Sequence, residues 1–326
     1  MDLRQLRYFV VLATQQHFGR AANQLHIAQP ALSRQIRLLE EELGAALFER
    51  HPRGATPTRE ALVLLERADF VLRYVEQLRV DMLAQHAEPR GLVTVGMSPA
   101  LAALLSLPIA LALRERYPDI RLKIVETFAP TLYTMLVDGA VDLAILSGAI
   151  PPINVKALPL LTEKICAIGP PGDARLQREH IGIRELRGVP LILTGVSKSG
   201  IRLELETAAR RANVALNQVI EVESLEVARR LVAGGVGWTV HFASPIQREI
   251  HDGILRATPI RGLQLQRAVA RSLERPPSRA TQVLMELLQE IAVTLVSSGQ
   301  WPHSVLAPSV RAGSKGARRG ARERAA

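Results

Sequence analysis

The chain has 326 residues, of which 48% are hydrophobic, and this length allows two or three domains that each bury a core. The one cysteine excludes a disulfide within the chain, and the His and Cys residues do not form a zinc motif. The amino terminus lacks a signal-peptide pattern, and no apolar run approaches the roughly 20 residues of a membrane span. We therefore expect a cytoplasmic protein without metal, cofactor or membrane contact.

The net charge of +10 is unevenly distributed along the chain. Residues 311–326 carry six positive charges and one negative charge, whereas residues 1–60 carry eight positive and six negative charges. Bulk basicity therefore gives little support for DNA binding by the amino-terminal region, and any such claim depends on motifs.

Residues 1–58 show a pattern of short amphipathic helices. The third helix is predicted to open at Gln29, where Pro30 is tolerated because first-turn amides have no partner within the helix. Apolar residues recur at positions 32, 36 and 39, so the opposite face presents Gln29, Ser33, Arg34 and Arg37. These side chains are typical of a recognition helix that enters the major groove. An amphipathic helix pair with a solvated polar face explains the spacing equally well.

The literal residues favour the DNA-binding interpretation. The chain reads RAA at 20–22, QPALSRQI at 29–36, LE at 39–40, LG at 43–44 and LFER at 47–50. This pattern closely resembles that of the LysR-type transcriptional regulators over the whole amino-terminal domain. The resemblance implies a winged helix-turn-helix whose candidate contacts with double-stranded DNA are Arg20, Gln29, Pro30, Ser33, Arg34, Arg37, Arg50 and Arg53.

Two positions depart from the commonest pattern of this family. His17 and Ala28 precede the second and third helices, where Ser or Thr often caps the helix. Each missing cap is expected to cost about 1 kcal/mol of stability.

Residues 59–87 are predicted to form a linker and dimerisation helix with Thr58 as its N-cap. Steps of four and three residues predict a coiled-coil seam of Leu64, Ala68, Val71, Val75, Leu78 and Met82. A helix packed on its own domain through Leu62, Leu65 and Leu72 is the alternative, and we favour both arrangements together. A homodimer or homotetramer would bind a pseudo-palindromic promoter site with half-sites about one helical turn apart.

Residues 91–300 alternate short β-rich runs with helical runs, which predicts an α/β region. We expect two Rossmann-like α/β subdomains, 91–161 with 263–300 and 162–262, that the chain crosses twice. This periplasmic-binding-protein-like effector domain, together with an all-α amino-terminal part, gives an α/β fold overall. Ligands bind such clefts at the carboxyl ends of strands, near helix amino termini.

The candidate effector contacts lie in loops at that position and in residues suggested by the family resemblance. They are Ser98, Pro99, Ala100, Phe128, Ser147, Thr194, Gly195, Ser197, Arg202, Thr239 and His241. Lys198 and Arg202 suggest an anionic or carboxylate-bearing small-molecule effector. Solvated cations without a ligand role are an equally good interpretation.

An enzymatic domain is the weaker hypothesis. The segment 195–200 has two glycines of a P-loop, but Ile201 and Arg202 stand where Lys and Ser or Thr are required. A solute-binding domain fused to the DNA-binding module is the other alternative. Residues 302–326 have a disordered composition, and their charge either adds salt-dependent DNA affinity or has no role.

Overall fold

The computed structural model describes residues 1–52, 54–83, 88–148, 153–195 and 200–311. These residues form two compact units, Met1–Glu88 and the chain from Pro89 to Val137 and from Val141 onward. Arg53, in the wing, and Ser197, in the effector loop, lie outside the described residues, as does the charged segment 312–326.

The first unit is a three-helix bundle with a β-hairpin and a long helix. It consists of α1 (Leu3–Gln15), α2 (Phe18–Gln24), α3 (Gln29–Leu43), β1 (Phe48–His51), β2 (Gly54–Pro57) and α4 (Arg59–Leu83). The antiparallel β1–β2 hairpin is the wing. Phe9, Leu12, Leu32, Ile36 and Leu39 are fully buried in its core, because their helical spacing places them on inward faces.

The ends of these helices follow from local chemistry. Asp2 caps α1 by accepting a hydrogen bond from the Gln5 amide at 2.7 Å, and Thr58 Oγ1 caps α4 by accepting from the Ala61 amide at 3.2 Å. Gly44 ends α3 in the left-handed conformation that glycine adopts without strain. Gly54 is required in the wing, because a β-carbon there would collide with the carbonyl oxygen of Gln16.

The His17 expectation is wrong. His17 does cap α2, because its Nδ1 accepts hydrogen bonds from the amides of Gly19 and Arg20 at 3.1 and 3.4 Å. An imidazole nitrogen therefore replaces the expected hydroxyl. Ala28 has no side-chain polar atom and leaves α3 without such a cap.

Helix α4 packs differently from the predicted seam. Ala68 is fully buried in the core of the first unit, and Leu64, Leu65, Val71 and Leu72 pack against that core. Ala68 is thus wrong as a seam residue, because its own domain already covers it. Leu62 was expected to face inward but is 56% exposed. Leu78 and Met82 were expected in the seam, and they are 45% and 73% exposed.

The second unit is built on a twisted sheet flanked by helices. Its first half contains β3 (Gly91–Met97), α5 (Pro99–Arg116), β4 (Ile120–Glu126), α6 (Ala129–Asp138) and β5 (Leu143–Ser147). Then follow β6 (Val155–Gly169), β7 (Pro190–Thr194), α7 (Gly200–Arg211), β8 (Asn217–Val222), α8 (Leu225–Ala233), β9 (Trp238–His241) and α9 (Gln247–His251). The chain returns through β10 (Arg256–Ser272), α10 (Arg279–Ser297) and β11 (Ser304–Leu306).

The described strands of this unit run in the order β4-β3-β5-β10-β6-β9-β7-β8, with β11 beside β6. Strand β3 is parallel to β4 and β5, and β7 is parallel to β8 and β9. The two long strands β6 and β10 are antiparallel to each other and join these parallel groups. They are the two crossings of the chain between subdomains.

Helix α10 is, among the described residues, long and apolar enough to cross a membrane by length and composition. Half of that apolar stretch is buried, and Val283, Leu284, Leu287 and Leu288 belong to the core that also contains β3 and α5. Its apolar character therefore has a role inside the folded domain.

The disordered tail predicted from residue 302 onward is wrong for residues 302–311. β11 pairs with β6, and Trp301, Ala307 and Val310 are buried in the core. Composition suggested disorder because the apolar residues of this segment are few, but their packing against β6 and α10 orders it.

Candidate DNA interface and ligand cleft

The polar face of α3 is accessible to a macromolecule. Gln29, Pro30, Arg34 and Arg37 are exposed and Ser33 is half-buried, on the side of the helix away from its buried apolar residues. Arg37 also forms an ion pair with Glu41 at 3.4 Å. The face combines hydrogen-bonding and cationic side chains at the start of a helix, as major-groove readout requires.

Helix α2 and the wing are held in place around this face. The exposed Arg20 donates from Nη2 to the Gln15 carbonyl at 2.9 Å, at the end of α1. Glu40 Oε1 accepts from the amides of Leu47 and Phe48 at 2.8 and 3.2 Å, which fixes the start of the wing on α3. Glu40 thus has a structural role that its place in the sequence pattern did not reveal.

Arg50 lies in the wing with its guanidinium 4.5 Å from the centre of the Phe18 ring. Phe18 in turn packs edge-on against Phe48. A cation held over an aromatic ring loses little conformational freedom when it meets a phosphate. Arg50 is therefore positioned by the same residues that close the small core.

A cleft with a cavity volume of about 100 Å³ opens in the second unit where four helices begin. Residues at the starts of α5, α6, α7 and α8 line it together with residues from β5, β7, β9 and β10. The first amides of a helix have no partner within the helix, so they point into such a site as donors. The predicted residues that line it are Ser98, Pro99, Ala100, Phe128, Ser147, Thr194, Gly195, Arg202 and His241.

Thr239 was expected in the cleft but does not line it. It is fully buried in β9, and its Oγ1 has no hydrogen-bond partner among the described residues. The sequence also missed several lining residues: Ala129, Gly200, Ile201, Glu223, Leu225, Phe242, Leu265 and Arg267. Most of these are apolar, so the cleft wall is more hydrophobic than its loops suggested.

Arg202 is not a free cation. It is 7% exposed, its Nε donates to Glu206 at 2.5 Å, and its Nη2 donates to Gln218 at 3.0 Å. Its Nη1 lies 3.4 Å from a carboxylate oxygen of Glu221. Two carboxylates therefore neutralise this guanidinium before any ligand arrives.

Arg267 is the second cation of the cleft, and it is also paired. Its Nε and Nη2 donate to Glu163 Oε2 at 3.0 and 2.8 Å, and its Nη1 donates to Ser147 Oγ at 2.5 Å. Ser244 donates to the other Glu163 oxygen at 2.6 Å. The guanidinium also lies 4.0 Å from the centre of the Phe242 ring. Charge-assisted bonds of this kind are among the stronger ones in proteins.

Two titratable groups lie beside this cluster. Burial, and then the charge of Arg267, lower the pKa of His241 to about 4, so its imidazole is neutral at physiological pH. Burial, and then Glu163, raise the pKa of the Cys166 thiol to about 12. Cys166 is fully buried in β6, and a thiol with a raised pKa is a poor nucleophile.

Comparison with known protein families identifies a chain that contains these two kinds of unit. Residues 3–62 match the bacterial regulatory helix-turn-helix model of the lysR family, and residues 86–292 match the LysR substrate binding domain. The chain belongs to the LysR family. It is a transcriptional regulator with a DNA-binding helix-turn-helix and an effector-binding domain.

Several LysR relatives are similar over most of their length. The transcriptional regulator BbuR of Bordetella bronchiseptica is 27% identical over 93% of both chains. The hydrogen peroxide-inducible genes activator of Dickeya chrysanthemi is 32% identical, over 78% of this chain and 83% of its own. A full-length OxyR variant from Pseudomonas aeruginosa superimposes with a TM-score of 0.69 at 28% identity, covering 89% of this chain and 95% of that chain.

Family membership confirms the class predicted from the sequence and its α/β fold with an amino-terminal helix-turn-helix. LysR regulators bind DNA and small-molecule effectors and form oligomers. The individual contact residues are a separate matter, and they remain predictions.

Proposed function

We propose that this LysR regulator reads DNA through the exposed face of α3 and responds to a small carboxylate-bearing effector in the cleft. The observation that carries the proposal is the combination of an exposed polar face on α3 with a largely apolar cleft at which four helices begin. By acting on chromosomal DNA, the protein would work in the cytoplasm.

The proposed DNA contacts are Gln29, Pro30, Ser33 and Arg34 on α3, supported at the rim by Arg20, Arg37, Arg50 and Arg53. The side chains at the amino-terminal end of α3 reach base edges, whereas the rim arginines bind phosphates. Two chains would meet through the exposed carboxyl-terminal part of α4, with Leu78 and Met82, and place two α3 helices on a pseudo-palindromic site.

The effector's carboxylate is proposed to face the amides at the starts of α5 and α7, since Arg202 and Arg267 are already neutralised. Its apolar part would pack against Phe128, Phe242 and Leu265.

We propose binding without turnover. Ser147, a hydroxyl of the cleft, accepts a hydrogen bond from Arg267, and a guanidinium does not act as a general base. The chain also differs in chemistry from a thiol-based sensor, because its one cysteine is buried with a raised pKa. We therefore do not propose Cys166 as a peroxide-reactive thiol.

DNA readout is tested by comparing Arg34→Ala with Arg7→Ala, which removes an exposed arginine from α1 instead. Loss of a base contact is expected to weaken specific binding by about 1 to 3 kcal/mol while the control binds normally. Binding of the full-length chain is measured by fluorescence anisotropy on its promoter fragment. Equal affinities for the two variants would contradict the assignment of α3.

The effector class is tested by thermal shift with matched pairs of carboxylic acids and their primary amides. Acids that fit the cleft should raise the midpoint, and their amides should not. Equal shifts from an acid and its amide would indicate a neutral effector instead. Mass spectrometry checks whether a bound acid is converted to product. Such a conversion would contradict binding without turnover.

A further inference from the structure

The ion pair between Glu163 and Arg267 lies where the two crossing strands meet. Glu163 is on β6 and Arg267 is on β10, and their exposed fractions are 0% and 2%. The register of the β6–β10 ladder shifts between Arg267 and Ala268. A register shift bends a strand and interrupts its ladder. The pair thus occupies an irregular point of the link between subdomains.

The hydrogen bonds of this pair reach into both subdomains. Arg267 donates to Ser147, the last residue of β5 in the first parallel group. Glu163 accepts from Ser244, which follows β9 in the second parallel group. One continuous chain of charge-assisted bonds therefore connects Ser147, Arg267, Glu163 and Ser244, in that order.

Two members of this chain face the cleft and two do not. Ser147 and Arg267 line it, whereas Glu163 and Ser244 are buried behind it. Phe242, which also lines the cleft, packs on the Arg267 guanidinium. A molecule in the cleft thus meets the same guanidinium that joins the subdomains.

We propose that Ser147, Arg267, Glu163 and Ser244 form a latch that holds the two subdomains in the arrangement described here. The Arg267–Glu163 bond crosses from the first subdomain to the second, and the bonds to Ser147 and Ser244 hold these two side chains in place within their own subdomains. The complete latch therefore favours one opening of the cleft over others. Its regulatory meaning rests on the proposed function, because effector occupancy would act on the latch through Arg267. These residues are positioning residues for the cleft.

The test uses a change outside the cleft. Ser244→Ala removes the 2.6 Å bond to Glu163 without altering any residue that lines the cleft. The matched control is Thr258→Val, which removes a buried 2.6 Å bond from Thr258 Oγ1 to the Leu176 carbonyl in the same subdomain. Both variants lose one buried hydroxyl hydrogen bond, but only the first belongs to the latch.

Opening of the cleft is read as the distance between two spin labels in the full-length protein without ligand. Labels are attached at Glu179→Cys and Glu286→Cys, exposed positions in the second and first subdomains, and buried Cys166 stays unlabelled. Labelled chains are co-purified with an excess of unlabelled chains, so that each oligomer carries at most one labelled copy.

Ser244→Ala should populate a second label distance about tenfold more than the wild type does, because it loses a bond to a charged group. Thr258→Val should give the wild-type distribution. The latch is overturned if Ser244→Ala leaves the distribution unchanged, or if both variants shift it equally. Because no ligand is added, this result is independent of whether the acid and amide screen finds an effector.

Discussion

Replacing either member of the Glu163–Arg267 pair with an apolar residue should destabilise the second unit far more than replacing both. Glu163→Leu leaves a guanidinium that is 2% exposed without its carboxylate, and Arg267→Met leaves a fully buried carboxylate without its guanidinium. A buried charge without a partner costs about 3 to 5 kcal/mol, whereas an apolar pair of similar volume is often neutral. We expect each single variant to lose that amount and the double variant to lie within about 2 kcal/mol of the wild type.

The assay follows from the positions of the two tryptophans. Trp238 and Trp301 both lie in the second unit, so their fluorescence during urea unfolding of the full-length chain reports on that unit alone. The free energy of unfolding is obtained from the midpoint and slope of the transition. Single variants within about 1 kcal/mol of the wild type, or a double variant equal to the sum of the singles, would refute this account of the pair.

Two further predictions concern histidines. His17→Ala should remove the cap of α2 and speed hydrogen exchange of the α2 amides about fivefold, for a loss of about 1 kcal/mol, while His17→Asn should retain protection. Exchange measured by mass spectrometry on the full-length chain checks this, and equal protection in His17→Ala would contradict it. For His241, the folded-state pKa of about 4 lies below the ordinary value of 6.5. The contribution of this residue to the free energy of unfolding is therefore fully present above pH 6.5 and is lost as the pH falls from 6.5 to 4. In His241→Gln, the free energy of unfolding by urea should lack this pH-dependent loss, which is at most about 3 kcal/mol. A pH profile equal to that of the wild type would contradict the assignment to His241.

The recognition helix was predictable because its information is local. The apolar spacing of Leu32, Ile36 and Leu39 fixes which side of α3 is buried, and the polar side follows from it. The α/β pattern of the second unit was predictable for the same reason, since strands and helices differ in period. Strand β11 was not expected, because composition indicated disorder from residue 302 onward.

The latch was not predictable from local pattern. Glu163 lies directly before Lys164, and Arg267 shares its strand with Arg271, so the local sequence does not single out either charge. The two residues are separated by 104 positions in the sequence. Only the pairing of β6 with β10 brings them together, and that pairing is a long-range contact of the tertiary structure.

The predicted seam on α4 failed at Ala68 for a different reason. A repeat of four and three residues identifies an apolar stripe, but it does not say whether a partner chain or the same domain covers it. Here the amino-terminal half of the stripe is covered by the helical bundle of its own unit. Leu78 and Met82 lie beyond that bundle and keep the exposure that the seam requires.

The packing of the last described residues determines where this protein can be shortened. The family match ends at residue 292, within α10, yet Trp301 is fully buried and β11 supplies hydrogen bonds to β6. A truncation at the family boundary would uncover the apolar interior and expose an edge of a strand that crosses between subdomains. A crystallisable or proteolytically stable effector domain should therefore extend through Arg311, because the last described residues cover the apolar core of the domain.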